Sequence, residues 1–267
     1  MPRKPSLLTL LTDFGTADYF VGAMKGVILG ITPTAQIVDI TNEIPPQDIE
    51  AGAFTLLNSH GSFPREAVHV AVVDPGVGSK RRAIVVRAAD QYFVGPDNGL
   101  FSYVMERAPT YEVVHVTAEK YFRHPVSQTF HGRDVFAPVA AALLNGVSLS
   151  ELGSKMEDPV RLKSLAPLEV SNGKLEGRII HIDHFGNCIT NFTRTHVSTQ
   201  KEATARLQIK GKRIKSLKRS YDDDATREKL FAIWGSAGFL EISAKNSSAA
   251  KKLKAARGTK VTLETGG

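Results

Sequence analysis

The sequence predicts an α/β fold with an N-terminal, mostly parallel α/β sandwich domain and a smaller C-terminal antiparallel β-barrel domain. Two observations predict this division. Apolar strand-like runs alternate with helix-like segments as far as about residue 158, and such alternation favours a mainly parallel sheet covered by helices. After residue 173 the apolar runs are short and separated by glycine, asparagine and charged clusters, which is typical of a small antiparallel barrel or sandwich.

The elements of the first domain follow one another in a regular order. Strands are predicted at residues 7–11, 36–40, 68–73, 83–86, 92–94 and 111–116 from their apolar and β-branched content. Helices are predicted at residues 19–31, from about 46, at about 99–107 and at about 134–144. Pro46 suits the first turn of its helix, because proline is favoured there.

The second domain is predicted to contain only short strands. They are placed at residues 178–182, 188–192, 205–209, 230–234, 239–242 and 260–263. The domain boundaries that follow are 1–160 for the α/β domain, 161–173 for a linker with turn residues, and 174–267 for the barrel-like domain.

Composition excludes several classes of protein. Residues 200–267 hold 16 Lys and Arg against 7 Asp and Glu, so the net charge of +7 is concentrated there. The densest basic run has no interleaved aromatic residues, which favours a solvated surface over specific nucleic-acid binding. The absence of a membrane-length apolar run and of a signal peptide predicts a cytoplasmic protein without membrane partners. Cys188 is the one cysteine, which excludes an intrachain disulfide and a cysteine-based metal cluster.

Several acidic residues are predicted to lie where strands end or helices begin. Asp74 follows a β-branched run and precedes Pro75-Gly76, and a carboxylate there is either a turn cap or part of a site. Asp18 and Asp97 taken singly fit caps or turns. Asp13 is the candidate for binding both hydroxyls of a ribose, since each carboxylate oxygen accepts two hydrogen bonds.

A single histidine, His131, precedes the last predicted helix of the first domain. Such a histidine is more often structural than catalytic, and its surroundings lack the spacing of a metal site. Asp13-Phe14-Gly15 matches a kinase tripeptide, but no glycine-rich loop or His-Arg-Asp loop accompanies it, which excludes a kinase.

Five motifs in order resemble the S-adenosylmethionine hydroxide adenosyltransferases, the adenosine-forming S-adenosylmethionine hydrolases that are related to fluorinases and chlorinases. The motifs are at residues 11–18 with 21–26, 73–78, 96–100, 129–134 and 182–187, so the resemblance covers nearly the whole chain. It implies hydrolysis of S-adenosyl-L-methionine to adenosine and L-methionine by attack of a water-derived oxygen at ribose C5′. It also implies that no cofactor or metal is needed, and that the protein is a homotrimer with sites between one subunit's first domain and its neighbour's second.

The resemblance also implies roles for individual residues. The family's Asp–Arg–His set falls on Asp74, Arg81 and His131, with Arg82 as the alternative arginine. The implied substrate-binding residues are Asp13, Asp18, Phe130, Asp183, Asn187 and Ser236. Halogenating relatives carry a neutral residue at position 74, so a carboxylate there favours water over halide.

Two alternative functions remain open, and the sequence differs from the family pattern in one region. A halide-dependent adenosyl halogenase and a non-catalytic protein that binds an adenosyl ligand are the alternatives. Gly235 and Lys245 stand where the family pattern predicts amide side chains, which predicts weaker or altered substrate contacts.

Overall fold

The computed structural model describes residues 6–171, 173–197, 204–222 and 229–265. The chain divides into two compact units, Met1–Ser164 and Leu165–Gly267. Each unit has a sheet of its own, and most helices belong to the first. The predicted α/β class is therefore confirmed, as a mixed α/β fold with two sheets.

The first unit has seven strands and five α-helices among its described residues. The strands are β1 (Leu7–Thr12), β2 (Gln36–Thr41), β3 (Val68–Val72), β4 (Ala83–Ala88), β5 (Gln91–Pro96), β6 (Tyr111–Val116) and β7 (Gly153–Lys155). The helices are α1 (Phe20–Ile31), α2 (Ile49–Ser59), α3 (Ser102–Arg107), α4 (Ala137–Leu144) and α5 (Leu149–Leu152). A π-helical turn, Gly132–Phe136, leads directly into α4.

The first sheet is mixed. Its strand order is β2, β1, β3, β5, β4, β6, β7, and the first four of these run parallel. β4 pairs antiparallel with β5 and β6, and β6 pairs antiparallel with β7. Ala89 and Asp90 join β4 to β5 at φ values of 50° and 59°, the conformation of a two-residue hairpin turn. Because a hairpin joins antiparallel strands, the sheet is less parallel than the sequence predicted.

The carboxyl ends of β1, β3 and β5 meet at one edge of this sheet, because the three strands are parallel neighbours. Asp13 and Asp97 directly follow β1 and β5, and Asp74 follows β3 after one residue, Val73. Ligands of open α/β sheets bind outside the carboxyl ends of strands. The fold therefore brings three carboxylates to the expected edge.

A buried core holds the strands that lead to this edge. Leu8 and Leu10 of β1 and Val70 of β3 pack with Met24 and Ile28 of α1, and all five are fully buried. Helices α1 and α4 also pack against each other. Full burial of each such side chain contributes about 1.5–3 kcal/mol, so the strand ends are firmly supported.

Helix α2 packs tightly beside the end of β3. A Cβ at Gly52 would lie 2.8 Å from Leu100 Cδ1 and 3.1 Å from Val73 Cγ2, so glycine permits this approach. The helix begins at Ile49 rather than near residue 46, because the Asp48 side chain caps it by accepting a 2.9 Å hydrogen bond from the Ala51 N–H.

The second unit contains a nine-stranded sheet and one short α-helix among the residues that the structure describes. The strands are β8 (Leu168–Ser171), β9 (Lys174–Ile182), β10 (Cys188–Thr193), β11 (Arg206–Ile209), β12 (Lys212–Ile214), β13 (Leu217–Lys218), β14 (Phe231–Trp234), β15 (Phe239–Ser243) and β16 (Lys260–Glu264), and the helix is α6 (Ala249–Leu253). Their order is β12, β11, β16, β9, β10, β15, β14, β13, with β8 also paired to β9. The sheet is a curled half-barrel with β12 and β13 at its two ends, whereas the sequence predicted a barrel.

One strand lies inside the segment predicted to be a linker. Leu168–Ser171 forms β8 and pairs antiparallel with β9. Its side chains are exposed, so it lacks the alternating apolar pattern by which strands are predicted. Within the described ranges, no helix has the length and apolar character needed to cross a membrane.

Candidate active site

The loop after β3 brings Asp74 to the edge of the first sheet in a fixed conformation. The Asp74 carbonyl accepts a 3.2 Å hydrogen bond from the Val77 N–H, which closes the turn. Gly78 has a φ of 76°, and a Cβ there would overlap the backbone carbonyl of Gln128. Glycine is therefore required where this loop passes the segment that leads to His131.

Arg81 holds the Asp74 carboxylate from two directions. Its Nε lies 3.0 Å from each carboxylate oxygen, and one terminal nitrogen lies 2.5 Å from Oδ2. The side chains are 10% and 4% exposed, respectively. The guanidinium also lies over the ring of Phe136, 5.1 Å from its centroid. This arrangement is a fork-shaped, charge-assisted pair that is largely shielded from water.

The same guanidinium contacts His131, the residue before the π-helical turn. A terminal nitrogen of Arg81 lies 2.7 Å from His131 Nδ1. Burial lowers the pKa of His131, and the positive charge of Arg81 lowers it further. Both effects favour a neutral imidazole at neutral pH. The structure thus joins Asp74, Arg81 and His131 in one continuous array.

Arg82, the alternative arginine, is directed elsewhere. Its Nε donates to Asp97 Oδ2 at 2.8 Å, and its Nη1 donates to Asp158 Oδ1 at 2.9 Å. Asp97 also accepts a 2.8 Å hydrogen bond from the Val160 N–H. The geometry therefore places Arg81 against Asp74 and gives Arg82 and Asp97 a structural pairing.

The loop after β1 carries Asp13. Its Oδ2 accepts a 2.8 Å hydrogen bond from the Gln47 N–H, and the side chain is partly exposed at the sheet edge. Asp18, a few residues further on, is exposed. Neither has a bond to the Asp74 array among the described contacts, so the structure places them near the edge without joining them to it.

Phe130 lies in an aromatic cluster that links the Asp13 loop to the His131 loop. Its ring centroid lies 6.0 Å from that of Phe14 and 5.1 Å from that of Phe20, and Phe130 is 6% exposed. A Cβ at Gly132 would lie 3.3 Å from Phe130 and 3.4 Å from Phe14, so the two loops are closely packed.

The remaining predicted substrate residues line a cavity of about 740 Å³ in the second unit. They are Asp183, Asn187 and Ser236. Asp183 accepts 2.8 Å hydrogen bonds from both the backbone and the side-chain nitrogen of Asn187, which orders the turn before β10. Gly235 and Lys245, the two departures from the family pattern, line the same cavity.

A further carboxylate, Glu241 of β15, lines this cavity. It is 6% exposed, and its Oε2 accepts a 3.3 Å hydrogen bond from the Tyr221 hydroxyl. Burial raises the pKa of Glu241, and the nearby negative charge of Asp183 raises it further. Across the described segments, no cluster of three or more His, Cys, Asp or Glu side chains is arranged to hold a metal ion.

Both units match one protein family. Residues 8–153 match the SAM hydroxide adenosyltransferase N-terminal domain, and residues 177–262 match the C-terminal domain of the same family. This chain belongs to the SAM hydroxide adenosyltransferase family. The family membership predicted from the five motifs is therefore confirmed.

Individual relatives of this adenosyltransferase-family chain agree with that assignment. The (R)-S-adenosyl-L-methionine hydrolase of Methanocaldococcus jannaschii is 38% identical over 261 residues, covering 92% of this chain and 91% of the relative. A fluorinase of Actinoplanes is 31% identical over 215 residues, covering 71% and 72%. The crystal structure of an uncharacterized conserved protein from Thermotoga maritima has a TM-score of 0.88 and 35% identity, covering 96% of this chain and 99% of that one.

Sequence reasoning missed two residues that support the site of this SAM hydroxide adenosyltransferase homologue. Asn98 donates a 2.8 Å hydrogen bond from Nδ2 to the Val73 carbonyl, which fixes the backbone just before Asp74. Asn98 belongs to the motif at residues 96–100, which indicated a functional role, but the sequence does not show that its side chain bonds to the Val73 carbonyl. Glu241 lies in an apolar strand, and its contact with the cavity depends on how that strand pairs.

Proposed function

We propose that this protein hydrolyses S-adenosyl-L-methionine to adenosine and L-methionine, by attack of water at C5′ of the ribose. The observation that carries the proposal is the array of Asp74, Arg81 and His131, a buried carboxylate held by a guanidinium that also contacts a neutral imidazole. The hydrolase name of relatives that match over most of the chain supports the same reaction.

The chemistry needs little beyond a positioned water molecule. The oxygen of water forms a bond to C5′ as the C5′–S bond breaks, and sulfur keeps the electron pair. The sulfonium leaves as a neutral thioether, so no acid has to protonate the leaving group. Alignment of the water with the C5′–S bond contributes several kcal/mol, on the order of 7–11 at best. The reaction as proposed uses no cofactor and no metal.

We assign Asp74 as the general base, the group that accepts the proton of the attacking water. Its Oδ1 accepts one hydrogen bond from Arg81, which leaves lone-pair capacity on that oxygen for a water molecule. General-base assistance of this kind contributes about 10²–10⁴-fold. Arg81 stabilises the hydroxide character that develops on the oxygen. His131 contacts the same Nη2 of Arg81 that bonds to Asp74 Oδ2, and as a neutral imidazole it adds no charge.

The carboxylate of Asp74 also explains the choice of water over halide. Its side chain is 4% exposed, so its negative charge is poorly screened. A halide ion at the same place would be repelled, whereas neutral water is held by hydrogen bonds. A fluorinase relative exists at 31% identity, so the absence of a halide requirement is a necessary part of the test.

We assign the binding of the substrate to residues of both units. Asp13 is assigned to the ribose hydroxyls, with Asp18 and Phe130 beside it. Asp183, Asn187 and Ser236 are assigned to the adenosyl and methionyl groups, since they line the cavity of the second unit. The cavity is lined by Asp183, Asp222 and Glu241 against Lys245, and this excess of carboxylates suits a substrate that carries a sulfonium cation.

We further propose that the active form is a cytoplasmic homotrimer whose sites are shared between neighbouring subunits. The resemblance to the family is the basis for this assembly. The domain boundaries of 1–160, 161–173 and 174–267 are proposed from the turn residues and the change of sequence pattern, with β8 as a structured part of the linker region.

The direct test is incubation of the purified protein with S-adenosyl-L-methionine in halide-free buffer made with ¹⁸O-labelled water. We expect adenosine, detected by chromatography, with the label in its 5′-hydroxyl. Asp74→Ala should lose at least about 100-fold in rate, in line with loss of a general base. Asp90→Asn is the matched control, because Asp90 forms an exposed ion pair with Arg65. Product that appears only with added halide, or equal rates for wild type and Asp74→Ala, would refute the proposal.

A further inference from the structure

Glu241 is a buried carboxylate in the wall of the second-unit cavity. Its side chain is 6% exposed, and among the described residues Tyr221 supplies its hydrogen bond, at 3.3 Å. A single phenol hydroxyl compensates poorly for burial of a full negative charge. The carboxylate therefore has acceptor capacity left on the side that lines the cavity.

Gly235 leaves room for this carboxylate. It follows β14 directly, and in the antiparallel pairing of β14 with β15 the partner of Glu241 is Ile233. Gly235 is two residues beyond Ile233, so it lies diagonally from Glu241 on the same face of the hairpin. A Cβ at position 235 would overlap Oε1 and Cδ of Glu241. Any larger residue at 235 would displace the carboxylate from its present place, so the two residues form a structural pair.

The charges around the cavity favour a cationic group near Glu241. Asp183, Asp222 and Glu241 line it together with Lys245. Both oxygens of Asp183 already accept hydrogen bonds from Asn187, so part of the capacity of that carboxylate is used within the protein. Glu241 is the more deeply buried acceptor, and a ligand cation beside it would offset the charge that burial leaves uncompensated.

We propose that Glu241 determines substrate specificity by binding the α-ammonium of the methionyl half of the substrate, and that Gly235 is the residue that permits it. The inference rests on the proposed function and names one contact within it. The adenine amine and the ribose hydroxyls are also donors, but they are neutral and offset no charge, whereas the sulfonium is a cation without a hydrogen-bond donor. An ammonium carries a full positive charge and three donors.

The experiment compares three substrates with the full-length protein. They are S-adenosyl-L-methionine, its decarboxylated analogue, which keeps the ammonium, and its 2-oxo analogue, in which a keto oxygen replaces the ammonium. Glu241→Gln should lower kcat/KM for the two ammonium substrates by about 10- to 100-fold, mostly through KM, because a charged hydrogen bond is lost. The 2-oxo analogue should be turned over equally well by Glu241→Gln and wild type.

Gly235→Ala gives a second, independent variant, since it keeps the glutamate and displaces its carboxylate. It should reproduce the pattern of Glu241→Gln, and it decides the question if Glu241→Gln does not fold. Glu169→Gln on exposed β8 is the control and should match wild type. Equal losses for all three substrates, or no loss for any, would overturn the proposal.

Failure of this inference differs from failure of the proposed function. If wild type releases adenosine and Glu241→Gln distinguishes the ammonium substrates from the 2-oxo analogue as well as wild type does, the role of Glu241 is refuted and the proposed function stands. Wild type that releases no adenosine refutes the proposed function. In that case calorimetric titration of wild type and Glu241→Gln with the same three compounds still tests whether Glu241 binds the ammonium.

Discussion

Arg81 donates a hydrogen bond to Nδ1 of His131 at 2.7 Å. A guanidinium has donors only, so Nδ1 is the acceptor, and a neutral imidazole in this geometry carries its proton on Nε2. The same guanidinium holds both oxygens of Asp74. One arginine therefore fixes the tautomer of a histidine and the orientation of a carboxylate, and losing it releases both at once.

Arg81→Lys should lower kcat by about 10²–10³-fold with little change in KM, because an ammonium cannot bridge Asp74 and His131 as the planar guanidinium does. Steady-state kinetics of adenosine release measures this. Arg87→Lys is the control, since Arg87 of β4 is half-exposed and pairs with Glu66 instead. The assignment of Arg81 fails if the two lysine variants lose activity to the same extent.

Activity should fall on the acid side as His131 becomes protonated. Burial, and then the charge of Arg81, hold the pKa of His131 below its usual 6.5, so the imidazole is neutral at neutral pH. Protonation removes the Nδ1 acceptor and puts a second cation beside Arg81. We expect kcat/KM to be constant above pH 6.5 and to decline below it. His131→Asn should lack this decline, and an identical pH profile for wild type and variant would contradict the role.

The free energy of unfolding should also depend on pH, through His69 of β3. This histidine is fully buried, and its Nδ1 lies 2.7 Å from Thr9 Oγ1. Burial, and secondarily the charge of His60, lower its pKa from 6.5 to about 4. Between these two pH values the unfolded chain binds a proton at this residue and the folded chain does not. The stability is complete above pH 6.5 and declines as the pH falls toward 4, by about 3 kcal/mol in total.

Urea denaturation at several pH values between 7.5 and 4.5 measures this dependence. His69→Gln removes the titrating group and keeps a polar side chain near Thr9. The variant should lose less stability than wild type over the same pH interval, whatever its stability at neutral pH. Equal slopes would show that other groups cause the acid destabilisation.

Subunit mixing tests the proposed sharing of sites. Asp74→Ala and Asp183→Ala should each be inactive alone. If one subunit supplies residue 74 and its neighbour supplies residue 183, random trimers from an equal mixture restore about a quarter of the sites. Adenosine release after the two variants are unfolded and refolded together measures the recovery. A mixture as inactive as its components would exclude shared sites.

Much of the first unit was predictable because its signals are local. The β-branched run before Asp74 identified β3, and the turn residues after it identified the loop. The choice between Arg81 and Arg82 was not local, since Asp158 lies 76 residues from Arg82. Neighbouring residues in an irregular segment diverge in direction, so only the folded chain shows which arginine faces Asp74.

The second unit was harder to predict, for two physical reasons. Strand β8 is exposed, with Leu168 at 66%, so it has no buried face to give an alternating pattern. In the sequence, Gly235 was noted because it stands where the family pattern has an amide side chain. Its importance depends on the register of β14 and β15, which places it against Glu241.

Arg82 anchors the chain beside the reactive array, through Asp97 on one side and Asp158 on the other. The backbone that carries Arg81 is thereby held by pairings within the protein, so the array is organised without a contribution from a ligand. Poorer substrates should then react, once bound, at rates close to that of the best one. Substrate selectivity would then depend on how slowly a bound substrate dissociates. The rate of C5′–S bond cleavage would differ little from one substrate to another.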